Sequence, residues 1–219
     1  MGKVETPGPA VGLRARKKAM TRESLESAAL RMFLDRGYDQ VRLEDICEAC
    51  TVSIRTYFRY FTSKEDLVLG HLREHLSLAQ DLFARRPPQE STLTALHAVI
   101  REICHAYTEQ SNRELARLRV VSATPALEAP LNAVFAGFDQ LVRTVAEAHP
   151  PAGRDPQHAK LVAAAAVAAF RVGLEIWVAT EAGPDLADLV LDNLDKLTVG
   201  VLGAATSEER PPESRSVRS

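Results

Sequence analysis

Between Val52 and Leu67 the chain reads Val-Ser-Ile-Arg-Thr-Tyr-Phe-Arg-Tyr-Phe-Thr-Ser-Lys-Glu-Asp-Leu. Cations, hydroxyls and aromatic rings are interleaved there within a few helical turns. A guanidinium forks bidentately onto the acceptors of guanine or onto phosphate oxygens, and hydroxyls and ammonium groups reach phosphate. The residues of this stretch and its surroundings that fit such chemistry are Arg22, Arg42, Ser53, Arg55, Thr56, Tyr57, Arg59, Tyr60 and Lys64. Arg55 suits a base edge and Arg59 a phosphate. The plain alternative for each is a solvated surface charge.

Two other motifs have metal-ligand spacing. Cys47-Glu48-Ala49-Cys50 is a CxxC, but no second CxxC or histidine pair stands near it to complete a four-ligand zinc site. Buried packing is the simpler role, with a thiol switch as the chemical alternative. His71-Leu72-Arg73-Glu74-His75 matches the inverted zinc-protease signature HxxEH and puts both histidines on one helix face. With no evident third ligand, a zinc-dependent enzyme is a remote alternative. His97, Cys104 and His105 form no convincing catalytic set. The chain shows no nucleophile elbow, glycine-rich phosphate loop or paired-carboxylate signature. The expectation is no enzyme, no metal and no cofactor. Further along, Arg171 and Glu175 stand one helical turn apart, as an ion pair or as a holder for an anion. Phe135, Phe138, Phe170 and Trp177 line a pocket or fill a core, and Arg101, His105 and Arg119 are further polar candidates for binding a small molecule.

These residues need helices to position them. Ala28, Ala29, Met32 and Phe33 recur at helical spacing behind Thr21, and Gly37 ends that run. Leu43 to Cys50 is a second short amphipathic segment. Thr51-Val52 is long enough only for a turn, and Ser53 caps a third helix presenting Arg55, Thr56 and Arg59. Two short helices joined by a tight turn are the geometry that lays the second in the major groove of DNA. Ser63, with Asp66 three residues on, opens a long helix that should stop before Pro87-Pro88. Helical stretches follow at Thr92–Glu109, Asn112–Ala123, Leu127–His149, Gln157–Thr180 and Asp185–Leu202, separated by Pro125, Pro150-Pro151-Ala152-Gly153 and Gly183-Pro184. The predicted fold is all-α: residues 1–19 a disordered basic arm or solvated tail, 20–66 a helix-turn-helix domain, 67–205 a helical domain for effector binding and dimerisation, and 206–219 a disordered tail.

Charge divides the same way. Residues 1–64 hold 12 Lys and Arg against 8 Asp and Glu, and the remainder holds 15 against 21, giving the overall −2. A basic end joined to an acidic body suits a reader of the phosphate backbone. Aromatics are 5% of the chain, and alanine is abundant, which favours helices over sheets. The longest apolar run, Leu161 to Phe170, is about half what a membrane span needs. Residues 2–19 lack the apolar core of a secretory signal, and three cysteines argue against a disulfide framework. The expectation is a cytoplasmic protein without a membrane partner.

Gly37-Tyr38, Ile46, Val52-Ser53, Thr56, Tyr60-Phe61 and Ser63-Lys64-Glu65-Asp66-Leu67 resemble the N-terminal domain of the TetR family of one-component regulators, in a form common in actinobacteria. The resemblance covers about fifty residues and continues only as helical layout beyond them. It implies a homodimer, formed through the last two helices, on a palindromic double-stranded DNA operator. It further implies a repressor released by a small apolar or amphipathic effector held in the C-terminal helices. An activator, or a constitutive DNA-binding protein without effector, has the same DNA module. The resemblance also implies that Lys64 and its helix start hold a phosphate. Three departures stand out. Arg42 replaces a usual threonine and loses a capping hydroxyl. Phe58 replaces a tyrosine that meets phosphate. Thr51 replaces the turn glycine, so the turn must change conformation or carry strain.

Overall fold

The structure, a computed structural model, describes residues 9–148 and 157–203, with side chains from residues 12–148 and 157–198. The described residues form nine α-helices and no strand: α1 (Pro9–Arg36), α2 (Leu43–Ala49), α3 (Ile54–Tyr57), α4 (Asp66–Ala84), α5 (Thr92–Thr108), α6 (Ser111–Ser122), α7 (Glu128–Ala148), α8 (Gln157–Ala179) and α9 (Leu186–Gly203). The all-α expectation holds, and the punctuation residues fall where helices end. The 206–219 tail and the Asp155-Pro156 helix start lie outside the described residues.

The beginning of the chain differs from the expected arm. Residues 9–19 are the first turns of α1, and Thr21 lies within that helix, its hydroxyl donating to the Lys17 carbonyl four residues back (2.9 Å). After Pro9 the sequence is rich in alanine, arginine, lysine and leucine, all good helix formers, so nothing stops the helix from starting early. Residues 1–8 of the arm are outside the described part.

Two units divide the chain. The first takes residues up to Gln80 and Glu109–Ala136, the second Asp81–Thr108 and everything from Gly137. A boundary expected after residue 66 therefore falls about fourteen residues later, and α6 joins the helix-turn-helix. The reason is buried charge. Arg117 of α6 is paired with Glu26 of α1 and with Glu114 of its own helix, and Glu114 Oε2 lies 3.0 Å from His71 Nε2 of α4. All four side chains are buried, so shifting one of these helices against the others would leave a charge unpaired in the low-dielectric interior. At the rim, Arg113 pairs with Glu23, and Arg22 pairs with Glu26 and Glu74. Among the buried apolar side chains of this unit are Leu25, Ala29, Phe33, Ile46, Tyr57, Phe61, Leu67 and Leu72.

The second unit is built from α8 against α9 and α5 against α9. By length and composition alone α8 could cross a membrane. Its Ala159, Ala163, Ala166, Ala169, Gly173 and Trp177 face is nevertheless buried within the unit. A methyl at Gly173 would meet Val190 Cγ2 of α9 at 2.5 Å, so the two helices approach as closely as a bare backbone permits. Asn193 Nδ2 donates to the Ala169 carbonyl (3.4 Å), and His97 of α5 lies 3.0 Å from Asp195 of α9.

Candidate nucleic-acid interface

The turn between α2 and α3 shows how the chain copes without its usual glycine. Val52 N–H donates to the Cys47 carbonyl (2.9 Å) and Thr51 N–H to that of Glu48 (3.0 Å). These are the paired bonds of a Schellman motif, whose central residue takes the left-handed conformation. Thr51 occupies that place with φ 54°. The turn thus keeps its shape and carries strain, the second of the two outcomes the sequence allowed. At the other end of α2, Arg42 N–H donates to Asp45 (2.9 Å), so half of a capping box survives the loss of the threonine hydroxyl.

Ser53 then starts α3. Its hydroxyl accepts from Thr56 N–H (3.1 Å) and shares a hydrogen bond with the Thr56 hydroxyl (2.9 Å). Tyr57 anchors the segment from beneath: its ring is fully buried between Phe58 and Phe61, and its hydroxyl donates to the Ser63 carbonyl (2.6 Å). Burial pushes its phenol well above the usual range. The outward residues are Arg42, Ser53, Ile54, Arg55, Phe58 and Arg59, with Tyr60 at the edge. Arg59 Nη2 donates to the Tyr60 hydroxyl (3.2 Å) and lies over its ring, holding that phenol below its ordinary value.

Three of the nine DNA-facing candidates are used elsewhere. Tyr57 is core. Lys64 turns inward, its Nζ donating to the carbonyls of Tyr38 (2.9 Å) and Val41 (3.1 Å) and sitting 4.0 Å from the Tyr38 ring centre. It closes the turn after α1, where one ammonium donates to both carbonyls. Arg22 is engaged by Glu26 and Glu74 and lies over the Phe61 ring. Arg42, Ser53, Arg55, Thr56, Arg59 and Tyr60 remain on or at the edge of one surface, though the Thr56 hydroxyl is taken up in the cap.

The cysteines behave as packing residues. Cys47 is buried, with its thiol pushed up by burial, which disfavours the reactive thiolate. The Cys50 thiol lies 3.5 Å from the Ser24 carbonyl, and both cysteines are free. His71 and His75 meet edge to face, at 5.7 Å between ring centres. Burial drives the His71 imidazole well below its usual value and His75 to about 4. Among the described residues no three His, Cys, Asp or Glu are placed to hold a metal.

The small-molecule candidates are scattered. Arg101, His105, Arg171 and Glu175 of the second unit are all exposed, and so is Arg119, which falls in the first unit with Phe135. Each of these five polar side chains takes the exposed face of its own helix. Trp177, Phe138 and Phe170 do come together in the second unit, with Tyr107, an aromatic outside that candidate set. Phe138 stacks with Phe170 at 6.5 Å, Phe170 meets Tyr107 at 5.9 Å, and Tyr107 meets Trp177 edge-on at 6.4 Å. The Trp177 indole N–H is buried and has no hydrogen-bond partner among the described residues. Tyr107 was missed because one tyrosine in an amphipathic helix gives no signal before its partners on α8 are in place. Arg117 was missed because Glu-Leu-Ala-Arg-Leu-Arg reads as a solvated face.

Comparisons with known proteins agree with this geometry. A family profile described as "Bacterial regulatory proteins, tetR family" matches residues 26–70, and one described as "MftR C-terminal domain" matches residues 90–202. The HTH-type transcriptional regulator TcmR of Streptomyces glaucescens is 33% identical over 53% of this chain and 54% of its own. The putative mycofactocin biosynthesis transcriptional regulator MftR of Mycobacterium tuberculosis is 27% identical over 58% of this chain and 64% of its own. These matches thus span between half and two thirds of each relative's length. Among solved structures, Thermus thermophilus FadR, a repressor in complex with lauroyl-CoA, superposes with TM-score 0.58 at 19% identity, covering 90% of this chain and 100% of that one. NalD of Pseudomonas aeruginosa, the secondary repressor of an efflux pump, does so with TM-score 0.57 at 20% identity over 84% and 97%. At such identities the likeness is one of fold. The helix-turn-helix lies within the first profile and the first unit, and the chain belongs to the TetR family, whose members are DNA-binding transcriptional regulators and not enzymes.

Proposed function

We propose that the chain is a ligand-responsive repressor that binds a palindromic operator as a homodimer, in the cytoplasm where that DNA lies. The observation that carries the reading is the outward surface of α2 and α3, where Arg42, Arg55 and Arg59 stand exposed on helices fixed from behind by Tyr57 and Lys64. Arg55 reads a base edge, and Arg42, Arg59 and Tyr60 hold phosphates. The exposed Arg14, Arg16, Lys17 and Lys18 at the start of α1 add cations that serve the same backbone.

The dimer forms through α8 and α9. Leu161, Val172 and Ile176 of α8 and Leu197 of α9 are large apolar side chains left exposed, which a second copy would cover. The effector lodges by Tyr107, Phe138, Phe170 and Trp177, where an apolar or amphipathic molecule finds ring faces and a buried indole N–H without a partner. Its binding moves α4 and α7, whose backbones run unbroken past the divisions after Gln80 and Ala136. The separation of the two recognition helices must match about one DNA turn, so a small displacement suffices to release the operator. The effector acts only through its different affinity for the two conformations.

Operator selection from random DNA tests the reading. A palindromic site is expected. Arg55→Ala should cost about 1–3 kcal/mol and relax specificity at one position per half-site, and selection of no sequence at all would overturn it. Native mass spectrometry tests the dimer and effector: a dimer with excess mass lost on denaturation supports both, and a monomer that stays monomeric on operator DNA contradicts the dimer.

A further inference from the structure

One apolar feature of the recognition surface has no part in the contacts above. Within the run Tyr57-Phe58-Arg59-Tyr60-Phe61, Tyr57 and Phe61 are buried to 2% exposure or less, whereas Phe58 is 52% exposed. Ile54, one turn earlier, is 39% exposed. Phe58 N–H donates to the Ile54 carbonyl (3.0 Å) and Phe58 keeps helical backbone angles, so the two side chains share one face of one turn. The Phe58 ring is not loose. It meets the Tyr57 ring edge-on at 5.4 Å, with an interplanar angle of 87°. Exposed Arg55 and Arg59 follow each of them in sequence, and Arg42 is exposed at the start of α2.

An apolar pair framed by cations calls for an occupant that is apolar at its centre and anionic at its edges. In the major groove of DNA the apolar feature is the C5-methyl group of thymine, and the anions are the phosphates on either side. We infer that Ile54 and Phe58 are specificity-determining residues that pack on thymine methyl groups in each operator half-site, beside the base read by Arg55. Four residues of helix advance about 6 Å, and base pairs about 3.4 Å, so the two thymines lie roughly two base-pair steps apart. The inference rests on the DNA-reading role proposed above for α3.

The test removes the methyl groups and nothing else. In the operator selected from random DNA, each thymine is replaced in turn by deoxyuridine, which leaves every hydrogen-bonding atom in place. The wild-type protein should lose about 3- to 10-fold in affinity at two positions per half-site and none elsewhere. Phe58→Ala should become indifferent to uracil at one of those positions and Ile54→Ala at the other. Neither side chain is buried, so both variants should keep the wild-type circular dichroism and lose only a few degrees of melting temperature through the trimmed contact with the helix-turn-helix core. Equal wild-type affinity for all the uracil operators, with Arg55→Ala still impaired, would overturn the thymine readers and leave the DNA-reading role standing. So would a selected half-site without thymine within three base pairs of the position relaxed by Arg55→Ala. Selection of no operator would overturn both.

Discussion

The two units hold their helices together by different means. In the first, a buried guanidinium, two carboxylates and an imidazole join α1, α4 and α6: Arg117, Glu26, Glu114 and His71. In the second, α8 meets α9 through alanines, Gly173 and a row of leucines and valines. Ion pairs are directional and fail if their geometry slips. Apolar contact is non-directional and tolerates a slide. Under the proposed function, a unit that presents Arg55 and Arg59 at fixed positions on DNA gains from the first kind of joint, and one that admits an effector gains from the second. Buried charge is weak evidence for net stability, so what this network contributes is one defined arrangement of three helices.

The contrast is broken most severely at Arg117. Arg117→Met takes the buried cation from Glu114 and leaves Glu26 only the rim cations Arg22 and Arg113, and should cost about 3–5 kcal/mol in urea unfolding. Adding Glu26→Gln and Glu114→Gln should recover part of that loss. If the single variant costs under about 1 kcal/mol, the network is not what holds α6 to α1. The second unit is challenged at Gly173. Gly173→Ala drives a methyl into Val190 and should cost about 1–3 kcal/mol. Trp177 is the chain's one tryptophan and is buried in that unit, so its fluorescence should follow this loss.

Acid sharpens the comparison further. Burial holds His75 at about 4 and His71 well below its ordinary 6.5, so both stay neutral in the folded protein. An unfolded chain takes up those protons below about pH 6.5 and so binds more of them than the native state. Their contribution is therefore fully present above that pH and is lost progressively as pH falls toward 4. Glu114, pushed up by burial, works in the opposite sense. Urea midpoints measured at pH 7, 5.5 and 4.5 should fall with pH, and His75→Gln should flatten the decline. An unchanged slope would place its origin outside this pair. The smallest effect is at the turn. Thr51→Gly relieves the left-handed φ of 54° and should stabilise by about 1 kcal/mol, read as a melting temperature a few degrees higher without loss of operator binding.

Much of this was legible from residue order. Gly37, Pro87-Pro88 and Gly183-Pro184 marked helix ends, because positive φ and missing N–H groups act on their own neighbourhood. Ser53 announced a cap, and Thr51 announced either strain or a changed turn. The recognition surface was readable as a set of residue types but not as directions. Successive residues on a helix point about 100° apart, so in one short run Arg55 faces out while Tyr57 faces in, and only packing against Phe61 and Ser63 decides which is which. Lys64 has the composition of a phosphate ligand, yet two carbonyls near residue 40 claim it.

The sequence by itself determined the helices, their punctuation, the basic character of the first third and the helix-turn-helix, since propensity, capping and charge are local properties. Tertiary structure alone decided the fate of Arg117, whose partner Glu26 lies 91 residues away, and the grouping of Tyr107 with Trp177. It also decided that a helix read as part of the second domain belongs with the first. A side chain's role depends on what the fold brings beside it, and contacts between distant parts of the chain leave no mark in the order of its neighbours.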